Sequence, residues 1–135
     1  MSTVGEQEAA RLRQSVSSFN VGDDAATLEQ FAPDVTFVVP GHSVLAGTYR
    51  GREELGRFFR KLHELSGGTF QVSLEEVLSN EHRLVLFMHF IAERPGQNLN
   101  VLMAGFHDDR GPDGWRRATF LPDDLAAFDR FFAGT

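Results

Sequence analysis

The chain has 135 residues, 41% of them apolar, no cysteine and a formal charge of −6. That length suits one compact domain, residues 1–135, able to bury roughly two-thirds of its unfolded surface without staples, and the missing cysteines exclude disulfides and thiolate chemistry. The acidic balance argues against a nucleic-acid partner, and with no apolar run of membrane-spanning length and no apolar signal core, a cytoplasmic protein away from membranes is expected.

Residues 5–20 place Ala9, Leu12, Val16 and Phe19 at helical spacing, and Gly22 turns the chain. Asp23 or Asp24 caps a short second helix carrying Leu28 and Phe31, which Pro33-Asp34 stops. Val35 to Val39 reads as a strand, followed by a Pro40-Gly41-His42 turn. Gly51 opens a third helix through Leu65, with Leu55, Phe58, Phe59 and Leu62 on one side. Strands then follow at Thr69–Leu78, Arg83–Glu93, Asn98–His107 and Trp115–Leu121. Their connections are Ser79-Asn80-Glu81, Pro95-Gly96 and the polar run Asp108–Gly114. Pro122-Asp123-Asp124 starts a last helix carrying Leu125, Phe128, Phe131 and Phe132. This order predicts an α+β domain with helices gathered on one face of a sheet.

The segment Leu84–Ile91 does not alternate between apolar and polar residues. Leu84, Leu86, Met88 and Phe90 form one face; Val85, Phe87, His89 and Ile91 form the other. An antiparallel strand with one wet face shows a polar residue at every second place. A second subunit is therefore expected to cover the outer face, making a homodimer; the closing helix is the alternative cover. Thirteen phenylalanines beside one tyrosine and one tryptophan suit a thick core or an apolar pocket.

The chemical inventory is sparse. The five histidines, His42, His63, His82, His89 and His107, form no H-x-H or H-E-x-x-H pair, so neither metal nor other cofactor is expected. Phosphate-cradling glycine motifs and a G-x-S-x-G elbow are missing too. Asp123 and Asp124 lie where helix capping explains them. Glu75 and Glu76 leave one carboxylate on each face of their strand, and either would be desolvated, with a raised pKa, if it faced a pocket.

Three stretches, FNVGDDAATLEQFAPDVTF, VPGHSVLAGTYRGREELGRFF and GWRRATFLPDDLAAFDRFF, together resemble the SnoaL-like branch of the NTF2-like superfamily. Its relatives include polyketide cyclases, ketosteroid isomerases and limonene epoxide hydrolases. The resemblance covers nearly the whole chain. It implies a cone: a curved, antiparallel or mixed sheet wrapped around three N-terminal helices, with a short C-terminal helix. The open end of the cone would accept a bulky apolar molecule.

The polar groups of those relatives have apolar or small counterparts here. The isomerase general base falls at Val39, the oxyanion-hole tyrosine near Ser15 and the second oxyanion-hole acid near Ala104. Arg94 is followed by Pro95-Gly96, without the aspartates that bracket the epoxide-hydrolase arginine, and Phe37-Val38 replaces a frequent Trp-His pair. The resemblance implies a substrate-binding lining of Ser15 and Phe19 from the first helix, Phe37 and Val39 from the first strand, and Phe58 and Leu62 from the third helix. Leu86, Met88, Phe90, Leu102, Ala104, Phe106, Ala118 and Phe120 would complete it from the later strands.

It also leaves His42, Tyr49 and Asp124 as the candidate catalytic groups, His42 foremost because histidine is the side-chain type suited to acid–base work near neutral pH. The expected function is an enzyme of cyclase or isomerase type acting on a polyketide or terpenoid intermediate. A non-catalytic module that binds an apolar ligand, and a structural dimer whose phenylalanines fill the cone, are the alternatives.

Overall fold

The computed structural model describes residues 6–80 and 82–133. The elements run α1 (Glu6–Asn20), α2 (Asp24–Leu28), β1 (Phe31–Val39), β2 (Gly47–Arg50), α3 (Gly51–Leu65), β3 (Gln71–Ser79), β4 (Arg83–Arg94), β5 (Gln97–Gly111), β6 (Gly114–Pro122) and α4 (Leu125–Phe131). The strands form one sheet in the order β2-β1-β6-β5-β4-β3. Among the described residues only β1 and β6 pair in parallel, so the sheet is mixed, with the α+β class read from the sequence.

Local chemistry sets the helix positions. Asp23 caps α2 by accepting the Ala26 N–H at 3.3 Å. In α3, Leu55, Phe58, Phe59 and Leu62 recur on one face and are buried, while Glu53 and Glu54 complement the dipole in the first turn. The Thr27 hydroxyl braces α2 on α1 by donating to the Ser15 carbonyl at 3.3 Å. Leu12 and Phe19 from α1, Phe128, Phe131 and Phe132 from the C-terminal segment, and the inner sheet face share one apolar core. The side chain of Ala9 lies outside the described residues.

Three expectations about elements change. Phe31 belongs to β1 rather than to the second helix; the strand begins before Pro33, and its pairing with β6 shifts between Phe31 and Thr36. Such an irregularity accommodates a proline that cannot donate to a ladder. Residues Gly47–Arg50 form a strand on the edge of the sheet, paired with β1. The polar run after His107 is mostly strand, because β5 continues to Gly111 with Asp109 at φ 57°.

The strand faces carry the main correction. Leu84, Leu86, Met88 and Phe90 of β4 are buried as expected. Opposite them on β5 stand His107, Gly105, Met103 and Val101. Leu102, Ala104 and Phe106, expected inside, therefore lie on the outer face, because a register shift of one residue inverts a whole strand. That outer face also carries Ile91 and Phe106, 42% and 37% exposed. The closing helix does not cover it, since these side chains stay exposed with α4 in place.

Gly114 fixes the approach of the β5–β6 turn to the chain between α2 and β1. It has φ 120°, and a Cβ there would stand 2.5 Å from the Gln30 carbonyl oxygen. The same carbonyl accepts the Trp115 N–H at 3.1 Å. Gly114→Ala is expected to destabilise the fold by roughly 1–3 kcal/mol in urea unfolding. A change within about 0.5 kcal/mol would show that this approach is loose.

Candidate functional site

An inner cavity of about 60 Å³ lies between the helices and the inner sheet face. Phe19 of α1, Phe59 and Leu62 of α3, and Leu86, Met88 and Phe90 of β4 supply much of its wall. Phe120 packs edge-on against Phe37 and Phe90, with ring centroids at 4.8 and 5.3 Å. These aromatic pairs hold the wall in place beyond what area burial alone would do.

Polar atoms interrupt this lining. Ser15, Gln30 and His107 all line the cavity. Ser15 Oγ, Gln30 Oε1 and His107 Nδ1 are each buried without a hydrogen-bond partner among the described residues. A serine within a helix commonly bonds back to the carbonyl one turn earlier, but Ser15 does not. Thr27 also lines the cavity, but its hydroxyl is engaged with the Ser15 and Asp23 carbonyls.

His107 is 2% exposed, between the rings of Phe31 at 5.4 Å and Trp115 at 5.8 Å. Burial pushes its imidazole down from 6.5 to about 4, so it is neutral at physiological pH. A neutral imidazole offers one donor and one acceptor nitrogen.

A larger groove, about 790 Å³, lies outside the cavity between α1, α2 and the β5–β6 turn. Ser15 and Gln30 line both spaces. The groove also carries Trp115 and Pro112, with Arg11, Arg110, Asp23, Glu29 and Asp113 among its charged residues.

Of the expected lining, Ser15, Phe19, Phe37, Leu62, Leu86, Met88, Phe90 and Phe120 meet at the cavity. Val39, Phe58 and Ala118 are buried in the solid core beside it. Leu102, Ala104 and Phe106 are on the far face of the sheet, for the register reason given above.

The candidate catalytic groups do not gather there. His42 is exposed in a separate surface groove with Ser43 and Asp129, and its backbone N–H donates to Asp129 Oδ2 at 3.1 Å. The Tyr49 hydroxyl donates to the Leu45 carbonyl at 2.7 Å, and burial raises its pKa. Asp124 caps α4 by accepting the Ala127 N–H at 3.0 Å. Glu75 and Glu76 are both exposed, and Glu75 stands 3.3 Å from His89 on the outer face. Among the described residues no cluster of three or more His, Cys, Asp or Glu could hold a metal, and no helix is long and apolar enough to cross a membrane.

Residues 12–113 match the family model of the SnoaL-like domain. The chain belongs to the SnoaL-like family. The uncharacterized protein Rv0034 of Mycobacterium tuberculosis is 36% identical to this SnoaL-like chain over 123 residues, which is 90% of the chain and 93% of the relative. The structure of Bal32a, from a soil-derived mobile gene cassette, superposes with a TM-score of 0.86 at 30% identity, covering 94% of this chain and 97% of that one. TerC, co-crystallised with polyporic acid, shares the fold with a TM-score of 0.77 at 20% identity, covering 91% and 96%.

In this SnoaL-like cavity, the buried histidine makes stability depend on pH with a definite sign. The unfolded chain takes up the proton near pH 6.5, the folded chain only near about 4. Stability from keeping His107 neutral is full above about pH 6.5 and is lost as pH falls toward 4, by roughly 3 kcal/mol in all. Urea midpoints across that window should fall more steeply for the wild type than for His107→Leu. Parallel curves would mean that the ring is already solvated.

Proposed function

We propose that this chain is a cofactor-independent enzyme of isomerase or cyclase type. Its substrate in this reading is a largely apolar metabolite such as a polyketide or terpenoid intermediate. The observation that carries the reading is the grouping of Ser15, Gln30 and His107 in one otherwise apolar cavity, each with a buried polar atom left unpaired. Such atoms destabilise a fold by about 1–3 kcal/mol each unless something meets them. A bound molecule with polar atoms would do so.

The chemistry follows from the groups. The phenylalanine walls orient the substrate, which can contribute several kcal/mol to catalysis. The neutral His107 ring takes a proton from one substrate atom and returns it to another, the elementary move of isomerisation. The Ser15 hydroxyl can donate to oxygen that gains charge on the way. The fold relative TerC, crystallised with the small molecule polyporic acid, supports a small organic guest.

Turnover across a panel of polyketide and terpenoid intermediates tests this reading. His107→Phe is expected to lower kcat by roughly 10²- to 10⁴-fold while binding survives. If His42→Ala or Asp124→Ala stops the reaction and His107→Phe does not, the chemistry belongs to the outer loop or to the start of α4. Saturable binding without product would select the non-catalytic ligand-binding reading.

We also propose that a second copy of the chain covers the outer sheet face, where Val85, Phe87, His89 and Ile91 stand beside Leu102 and Phe106. Sedimentation should give a dimer for the wild type and a folded monomer for Phe87→Glu. A wild-type monomer at micromolar concentration would refute this interface.

A further inference from the structure

We infer that the ligand is elongated and uncharged, with a narrow hydroxyl-bearing end in the inner cavity and a larger body in the outer groove. This rests on the reading of the inner cavity as a ligand site, and goes further by naming the ligand's shape and polar group.

Size makes the first argument. The inner cavity of about 60 Å³ has room for about four water-sized groups. A dry cavity that holds benzene measures about 150 Å³. A ring does not fit inside unless the wall moves, but an unbranched hydroxyalkyl end does. The adjoining groove, about 790 Å³, takes the remainder. Ser15 and Gln30 line both spaces, so they form the boundary that a molecule occupying both has to cross.

Hydrogen-bond valence makes the second argument. Gln30 Oε1 can only accept, so the guest must bring a donor. The Ser15 hydroxyl can donate as well as accept, and His107 Nδ1 does one or the other according to its tautomer. A hydroxyl group both donates and accepts; a ketone or an ether alone cannot donate to Gln30, so a carbonyl reacting beside His107 carries a hydroxyl next to it. Ser15 is 6% exposed and His107 2%, so these groups are hidden from bulk water and depend on whatever enters the cavity.

Charge makes the third. Asp23, Glu29 and Asp113 line the groove with Arg11 and Arg110, three acids and two bases, in a chain of net charge −6. That balance gives an anionic body no attraction.

The test titrates the full chain with 4-phenyl-1-butanol, 4-phenylbutyl methyl ether and 4-phenylbutyrate. Two NMR signals separate the compartments: the indole N–H of Trp115, the single tryptophan, for the groove, and the Met88 methyl for the cavity. The alcohol is expected to bind about tenfold more tightly than either comparison compound and to shift both signals. Gln30→Leu and Ser15→Ala, each confirmed as folded by its thermal transition, should reduce the alcohol to the affinity of the ether. Equal binding of alcohol and ether, with the Met88 signal shifting, overturns hydroxyl recognition and leaves the cavity as a ligand site. A Met88 shift without a Trp115 shift overturns the role of the groove, and tighter binding of the carboxylate overturns neutrality. If no probe shifts either signal, the cavity is not a ligand site and both readings fall.

Discussion

The pairing of β4 with β5 is the constraint on which the rest of the structure depends. It runs without a bulge from Arg94 opposite Gln97 to Arg83 opposite Asp108. An unbroken ladder of this length fixes the facing of every side chain along both strands. Leu84, Leu86, Met88 and Phe90 share the inner face with His107, Gly105, Met103 and Val101. A slip of one residue would turn His107 outward and bring Phe106 into the core. The cavity's apolar wall and its buried imidazole are thus consequences of one register.

Gly105 shows how closely that register bears on the open space. A Cβ at this position would meet the Met88 terminal methyl at 3.2 Å, closer than such contacts normally come. The absent side chain relieves crowding beside a cavity-lining residue. Elsewhere the interior is filled by aromatic rings in edge-on and tilted contact, as close packing requires. Against that background the unpaired atoms of Ser15, Gln30 and His107 stand out. A domain selected for stability alone would have paired them or replaced them with apolar groups. Asp129 Oδ1 is also buried and unpaired, but it lies away from these three, beside the separate surface groove of His42 and Ser43.

Much of the fold was legible in the amino-acid order because local rules and tertiary context agree there. The α3 boundaries follow from Gly51 and the Leu55-Phe58-Phe59-Leu62 stripe, and the two-sided character of β4 follows from the absence of alternation. The site was less legible. His107 sits next to the acidic pair Asp108-Asp109 and reads as a surface residue when taken alone. The signal for it was present in the Pro95-Gly96 turn: counting outward residue by residue places His107 opposite Leu84, on the inner face. Gln30 left no such signal, because its place depends on the β5–β6 turn folding back against residues distant in sequence. His42, Tyr49 and Asp124 are the candidates that the resemblance leaves at the rim and by the closing helix, yet their contacts here are those of a loop anchor, a packed ring and a helix cap.

The most direct test of the account is a high-resolution crystal structure of the chain grown with 4-phenyl-1-butanol. The account predicts non-protein density in the inner cavity, within hydrogen-bond distance of Ser15 Oγ, Gln30 Oε1 and His107 Nδ1. A cavity closed by its phenylalanines, with those three atoms paired to protein groups, would contradict it.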